Sequence, residues 1–223
     1  ITSEHDGWSH LYLFTTEGVM VRQLTKGNFD VTEFYGYDPL KKLFYYQAAA
    51  VSPLQREIYS VRLDGKKTNR LTALTGTNSG AFSATFRYFI NTYSSVTTPP
   101  VYTLHEAGGK QIRVLEDNMA LRTKLEEYKP TLRKFFSFTT PDDITLNGWV
   151  IYPPQFDSTV KYPVLMNQYS GPNSQEVIDR WSLGFDEYIA QQGYIVMCVD
   201  PRGTGARGED FRKIGRASCR ERV

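Results

Sequence analysis

"EIYSVRLDGKKTNRLT", residues 57–72, decides how the first half of this chain folds. Its opening run alternates so that every second residue can face one neighbouring layer, the period of a strand. Asp64-Gly65 then supplies the positive φ that a tight hairpin demands, and a second run closes on Leu71. The design recurs in "HLYLFTTEGVMVRQLT" (10–25) and "PVYTLHEAGGKQIRVLE" (100–116). Tyr12, Tyr59 and Tyr102 hold the same place at separations of 47 and 43 residues, and Leu24, Leu71 and Leu115 close the units. Further strand-like runs, "KLFYYQAA" (42–49) and "FRYFINTYS" (86–94), precede the second and third hairpins. Each unit therefore holds about four short strands in roughly 40–50 residues, the content of a propeller blade. A β-sandwich with accidental internal similarity is the alternative. Three units do not close a ring, so further blades are expected upstream.

Composition narrows the function. The 223 residues suffice for more than one small domain, and 40% hydrophobic with 22% charged content reads as globular. No apolar run approaches the ~18 residues of a membrane span. The formal net charge of +2 is spread along the chain, so no nucleic-acid footprint is expected. His5, His10 and His105 do not cluster, and Cys198 and Cys219 stand far apart, so no metal spacing follows. No cofactor is implied. His10 and His105 flank strands and read as packing or surface groups.

The second half changes style. "DNMALRTKLEEYK" (117–129) predicts a helix capped by Asp117 or Asn118, with Met119, Leu121 and Leu125 near one face and Pro130 as its stop. "LRKFFSFTT" (132–140) and "ITLNGWVIYPP" (144–154) predict an antiparallel hairpin. "YPVLMNQY" (162–169), "RWSLGFDEYIAQQG" (180–193) and "YIVMCVD" (194–200) then read as strand, helix, strand. Trp181, Leu183, Tyr188 and Ile189 are available for burial on that helix. Continuous apolar runs separated by a helix predict parallel strands buried on both faces. Cys198 reads as a small buried residue in mid-strand.

In such sheets ligands bind beyond the carboxyl ends of the strands. Those ends carry two Gly/Pro-rich loops, Tyr169-Ser170-Gly171-Pro172 and Pro201-Arg202-Gly203-Thr204-Gly205. Gly203, Gly205 and Gly208 match G-x-G-x-x-G, but Asp200-Pro201-Arg202 separates them from the strand end that a dinucleotide fingerprint requires. The other reading is the front of an α/β-hydrolase sheet, where the loop after the third strand contributes an oxyanion donor. Tyr169 begins that loop. Its phenol either donates to a developing oxyanion, worth about 3–4 kcal/mol in such sites, or caps the sheet with its ring while its hydroxyl meets water.

Three stretches carry a family resemblance: "VYTLHEAGGKQIRVLEDNMAL" (101–121), "GWVIYPPQFDSTVKYPVLMNQYSGPNSQ" (148–175) and "YIVMCVDPRGTGARGEDFRK" (194–213). The chain resembles dipeptidyl peptidase IV-like serine peptidases of the prolyl oligopeptidase family, above all bacterial secreted or periplasmic members. The resemblance runs from Ile1 to Lys213. It implies a partial β-propeller, its last blades, followed by a truncated α/β-hydrolase domain. It implies serine-type release of N-terminal di- or tripeptides after Pro or Ala, with peptides as partners and homodimerisation left open. It carries the oxyanion-donor role to Tyr169. The family's nucleophile, acid and histidine are expected downstream, and its acidic pair for the substrate amino group upstream. No G-x-S-x-G elbow exists in the chain, and no His follows residue 105.

The expected organisation is propeller blades over 1–116, a connector helix over 117–130, the start of a hydrolase domain over 131–213, and a tail, "IGRASCRERV" (214–223), that reads as translated sequencing adapter. On this reading the chain alone hydrolyses nothing. A non-enzymatic propeller binding module, or another α/β-hydrolase such as an esterase, stands as the alternative.

Overall fold

The computed structural model describes residues 1–213, and the adapter reading of 214–223 lies outside them. Four separate sheets follow one another along the chain. The first holds β1 (Thr2–Ser3), β2 (His10–Phe14) and β3 (Met20–Gln23). The second is an antiparallel meander of β4 (Val31–Asp38), β5 (Leu43–Ala48), β6 (Glu57–Arg62) and β7 (Thr68–Arg70). The third repeats that order with β8 (Thr77–Phe82), β9 (Tyr88–Ser95), β10 (Thr98–Glu106) and β11 (Gln111–Glu116). None closes into a barrel.

The repeat is realised bond for bond in its first two copies. The Leu24 amide donates to the Leu11 carbonyl and the Leu71 amide to the Ile58 carbonyl, both at 2.8 Å. The next residue repeats too: the Thr25 hydroxyl accepts from the Leu11 amide at 2.9 Å, and Thr72 from Ile58 at 3.1 Å. Gly65 turns between β6 and β7 at φ 69°, where a side chain would be strained. In the third copy the register between β10 and β11 shifts at Tyr102/Thr103 and again at Leu104/His105. Glu116 stands where the threonine would, and Leu115 is 41% exposed against 6% for Leu71.

Alternation explains the core. On β5, Phe44, Tyr46 and Ala48 enter a cluster with Leu11, Leu24 and Val31, while Leu43 and Tyr45 enter a second with Phe89 and Ala107. On β6, Tyr59 and Val61 take the first cluster and Ile58 the second. The second sheet is therefore covered on both faces by its neighbours, the stacking that a sheet with two apolar faces requires. His10 and His105 are buried packing residues, each hydrogen-bonded to a threonine hydroxyl and a glycine carbonyl.

Helix α1 (Met119–Tyr128) matches expectation in place but not in packing. None of its residues is buried, so Met119, Leu121 and Leu125 form no core. Asn118 takes a left-handed cap whose side chain donates to the Pro100 carbonyl at 2.6 Å instead of capping the helix, and Asp117 accepts from the Met119 amide at 2.9 Å.

The fourth sheet orders β12 (Lys134–Thr139), β13 (Thr145–Ile151), β15 (Ile195–Asp200) and β14 (Val164–Met166). β12, β13 and β15 pair antiparallel, and β14 pairs parallel with β15 through α2 (Phe185–Gln191). Its core joins Trp149, Ile151, Val177, Ala190, Val196 and Cys198, with Leu54 reaching in from the second sheet's side. Two expectations need correction. β14 is not covered on both faces: it is the outer strand, with Val164 and Met166 exposed. The helix begins at Phe185, after the φ −172° extension of Gly184, and does not bury Leu183 or Tyr188. It buries Asp186 and Glu187 instead. Arg133 binds both, at 2.9 Å and 3.2 Å, and lies 4.1 Å above the Trp149 ring.

Candidate functional site

Both Gly/Pro-rich loops leave the same end of the parallel pair. The ladder continues one step past β14, where the Asn167 amide donates to the Met197 carbonyl at 2.9 Å. The Asn167 side chain donates to Asp186 at 2.9 Å, tying the strand end to the buried Arg133 cluster. Two residues later comes Tyr169, 63% exposed. Among the described residues its hydroxyl has no hydrogen-bond partner. The ring folds over Gly171, where an added Cβ would lie 2.8 Å from the phenolic oxygen. Glycine at 171 is thus what admits the tyrosine in this pose.

The loop is held by its neighbour. The Asn173 amide donates to the Gly203 carbonyl and the Gly205 amide to the Ser174 carbonyl, each at 2.9 Å. A Cβ at Gly205 would meet the Asn173 side chain at 2.9 Å, so this glycine serves close approach of the two loops. The Ser174 hydroxyl donates to the Gly171 carbonyl at 2.6 Å and the Tyr169 carbonyl at 3.3 Å. The third glycine of the G-x-G-x-x-G match, Gly208, presses on Trp8, and its amide donates to buried Asp30 at 3.0 Å. Protein groups occupy both glycines' open faces.

Asp200, at the end of β15, fixes the next stretch. Its carboxylate accepts from the amides of Glu176 and Val177, both at 3.0 Å. Burial pushes its pKa up, against these two donors, which favour the charged form. Burial also pushes the Cys198 thiol up to about 12, so it is no nucleophile at neutral pH.

The 173–181 segment also reaches the second and third sheets. Asp179 donates its amide to the Leu54 carbonyl at 2.7 Å and accepts from the Val96 amide at 2.9 Å. The Thr77 hydroxyl donates to the Asp179 carbonyl at 2.8 Å. A cleft of about 470 Å³ lies along this junction, lined in part by Asp30, Glu33, Phe34, Arg56, Asn173 and Gln175. Tyr169 does not line it. Sequence reading found the tyrosine and both loops. It missed Asp200, Arg56, Gln175 and the Arg133 cluster, whose partners lie far away in sequence and leave no local pattern.

The Dipeptidyl peptidase IV (DPP IV) N-terminal region family model matches residues 1–100. The crystal structure of Porphyromonas gingivalis dipeptidyl peptidase 4 superposes with a TM-score of 0.90 at 46% identity, over 96% of this chain and 30% of that one. The chain is similar to dipeptidyl peptidase 4 proteins. This resemblance extends past the family match: a curated Emericella nidulans protein named "Probable dipeptidyl peptidase 4" is 37% identical over 95% of the chain and 28% of its own length. Dipeptidyl peptidase 4 of Trichophyton tonsurans is 36% identical over 94% of the chain and 28% of its own length. The chain thus spans about 28% of the length of these curated relatives. Among the described residues no helix is long and apolar enough to cross a membrane.

Proposed function

We propose that these residues work within a serine-type dipeptidyl peptidase, releasing two or three residues from peptide N-termini after Pro or Ala. Residues 1–116 serve as propeller blades, 117–130 as the connector, and 131–213 as the first strands of an α/β-hydrolase domain. The order of the fourth sheet, with its parallel pair and crossover helix, supports the last assignment. By family resemblance the protein works in a secreted or periplasmic setting.

The observation that carries this reading is Tyr169: an exposed phenol with no hydrogen-bond partner among the described residues, at the carboxyl end of β14, on a loop bonded to its neighbour. When a serine attacks the substrate carbonyl, negative charge collects on the carbonyl oxygen. A fixed hydroxyl that donates there stabilises the tetrahedral state more than the ground state, which is what raises the rate. We place the nucleophile, base and acid in the part of the relatives' length that this chain does not span, so residues 1–223 alone are expected to hydrolyse nothing.

The test is Tyr169→Phe in the full-length protein, assayed on Gly-Pro and Ala-Pro chromogenic peptides. The kcat should fall by roughly 10²–10³. Undiminished turnover overturns the assignment, and fast cleavage of simple esters without peptide turnover overturns the substrate class.

A further inference from the structure

We propose that Arg56, on the second sheet, is a positioning residue for Tyr169, acting through Gln175; the proposal rests on the reading of Tyr169 above. Arg56 is 7% exposed and immediately precedes β6. One guanidinium nitrogen donates to the carbonyls of Pro53 at 3.0 Å and Gln55 at 2.7 Å. The other donates to the side-chain oxygen of Gln175. The Gln175 amide nitrogen returns to the same Pro53 carbonyl at 2.7 Å and bonds the Val177 carbonyl at 3.1 Å. Arginine and glutamine thus close a small ring of bonds over residues 53–56.

Gln175 follows Ser174 directly, and the Ser174 hydroxyl bonds the Gly171 carbonyl at 2.6 Å, with the Tyr169 carbonyl 3.3 Å away. The segment carrying Tyr169 is anchored from more than one sheet. Gly203 and Gly205 hold one side and Asp200 holds its continuation, both from the fourth sheet. Arg56, together with the Pro53 carbonyl, fixes Gln175 from the side of the second sheet.

The cost of this residue argues that it is there for geometry. Among the described residues its guanidinium makes no hydrogen bond to a carboxylate: its partners there are carbonyl or amide oxygens. Glu57 and Asp30 act on it only through space, and burial pushes its pKa down to about 10. A buried cation without a bonded counter-ion is a poor source of stability, and Leu54 already joins the two regions by apolar contact. A planar fork bridging three oxygens supplies fixed relative placement, which a lysine or an apolar side chain does not. A misplacement of about 1 Å in a catalytic group can cost about 10²-fold, so placement is worth that expense.

The experiment is a double-mutant cycle in the full-length protein. Arg56→Met, Arg56→Lys and Gln175→Met are each made with Tyr169 and with Tyr169→Phe, and kcat and KM are measured on a Gly-Pro chromogenic peptide. With Tyr169 present, each should lower kcat by about 10- to 100-fold while KM moves little. With Tyr169→Phe, the same changes should lower kcat less than about twofold, because there is no donor left to misplace. Gln175→Met leaves both carbonyl bonds of Arg56 in place, so it reports the link even where Arg56→Met folds poorly. Equal losses in both backgrounds, or loss with Arg56→Met and none with Gln175→Met, overturn the positioning role while leaving Tyr169 as the donor. No loss from Tyr169→Phe alone takes both proposals down.

Discussion

The second and fourth sheets are both four-stranded, yet they are held by different forces. The second is stacked between two neighbours, and β5 sends alternate residues into two apolar clusters. The fourth leaves β14 exposed on its outer edge and builds its crossover helix on two buried carboxylates and an arginine. The first arrangement needs only a period-two pattern, which many sequences satisfy. The second needs particular partners to meet across 53 and 54 residues of chain. The comparison teaches that the repeat half tolerates apolar exchange, whereas the other half depends on pairings that fail abruptly when one member is lost.

Arg133 gives the largest expected effect on stability. Arg133→Met should destabilise the fourth sheet by about 3–5 kcal/mol, because Asp186 and Glu187 stay buried without a cation. Denaturant unfolding followed by Trp149 fluorescence would read it. A loss below about 1 kcal/mol would erase the contrast between the two regions. Changing all three residues together to apolar ones should cost far less than Arg133→Met alone.

Within the repeat half the contrast can be sharpened. Leu71→Ala removes a side chain from a closed core and should cost about 2–5 kcal/mol. Leu115→Ala, at the matching place in the third unit, should stay within about 0.5 kcal/mol, since the bulged register of β10 and β11 leaves it exposed. Equal costs would mean that the third unit packs like the second.

A smaller, graded effect is expected from pH. Burial pushes Tyr35, Tyr45 and Tyr59 up to about 12, and Cys198 likewise. For a folded pKa above the unfolded one, stability is intact below the unfolded value and is lost as pH rises through the folded value. Unfolding free energy should therefore fall as pH rises from about 10 towards 12. Ultraviolet difference titration should show these tyrosines ionising later than in the denatured chain. Coincident titrations would contradict their burial.

The repeat units were legible because their signals are local: a hairpin turn at Asp64-Gly65, tyrosines at a fixed place, alternation within one strand. The connector helix was legible from its stop at Pro130, but its lack of burial was not, since apolar residues on one face do not reveal whether anything covers them. The start of α2 was misplaced for a related reason: Trp181 and Leu183 suit a helix, but Gly184 breaks the chain in extended conformation before it. At the candidate site, Tyr169 could be singled out by its place between an apolar run and a glycine. Gln175 and Arg56 could not, because 119 residues separate them.

By itself, then, the sequence determined the strand pairs, the repeat and the tyrosine at a strand's end, because each is set by residues close together along the chain. Only the tertiary structure decided which carboxylates are buried, which strand is left at the edge and which arginine grips the tyrosine's loop. Those outcomes depend on groups that attract one another only after folding has removed water from between them.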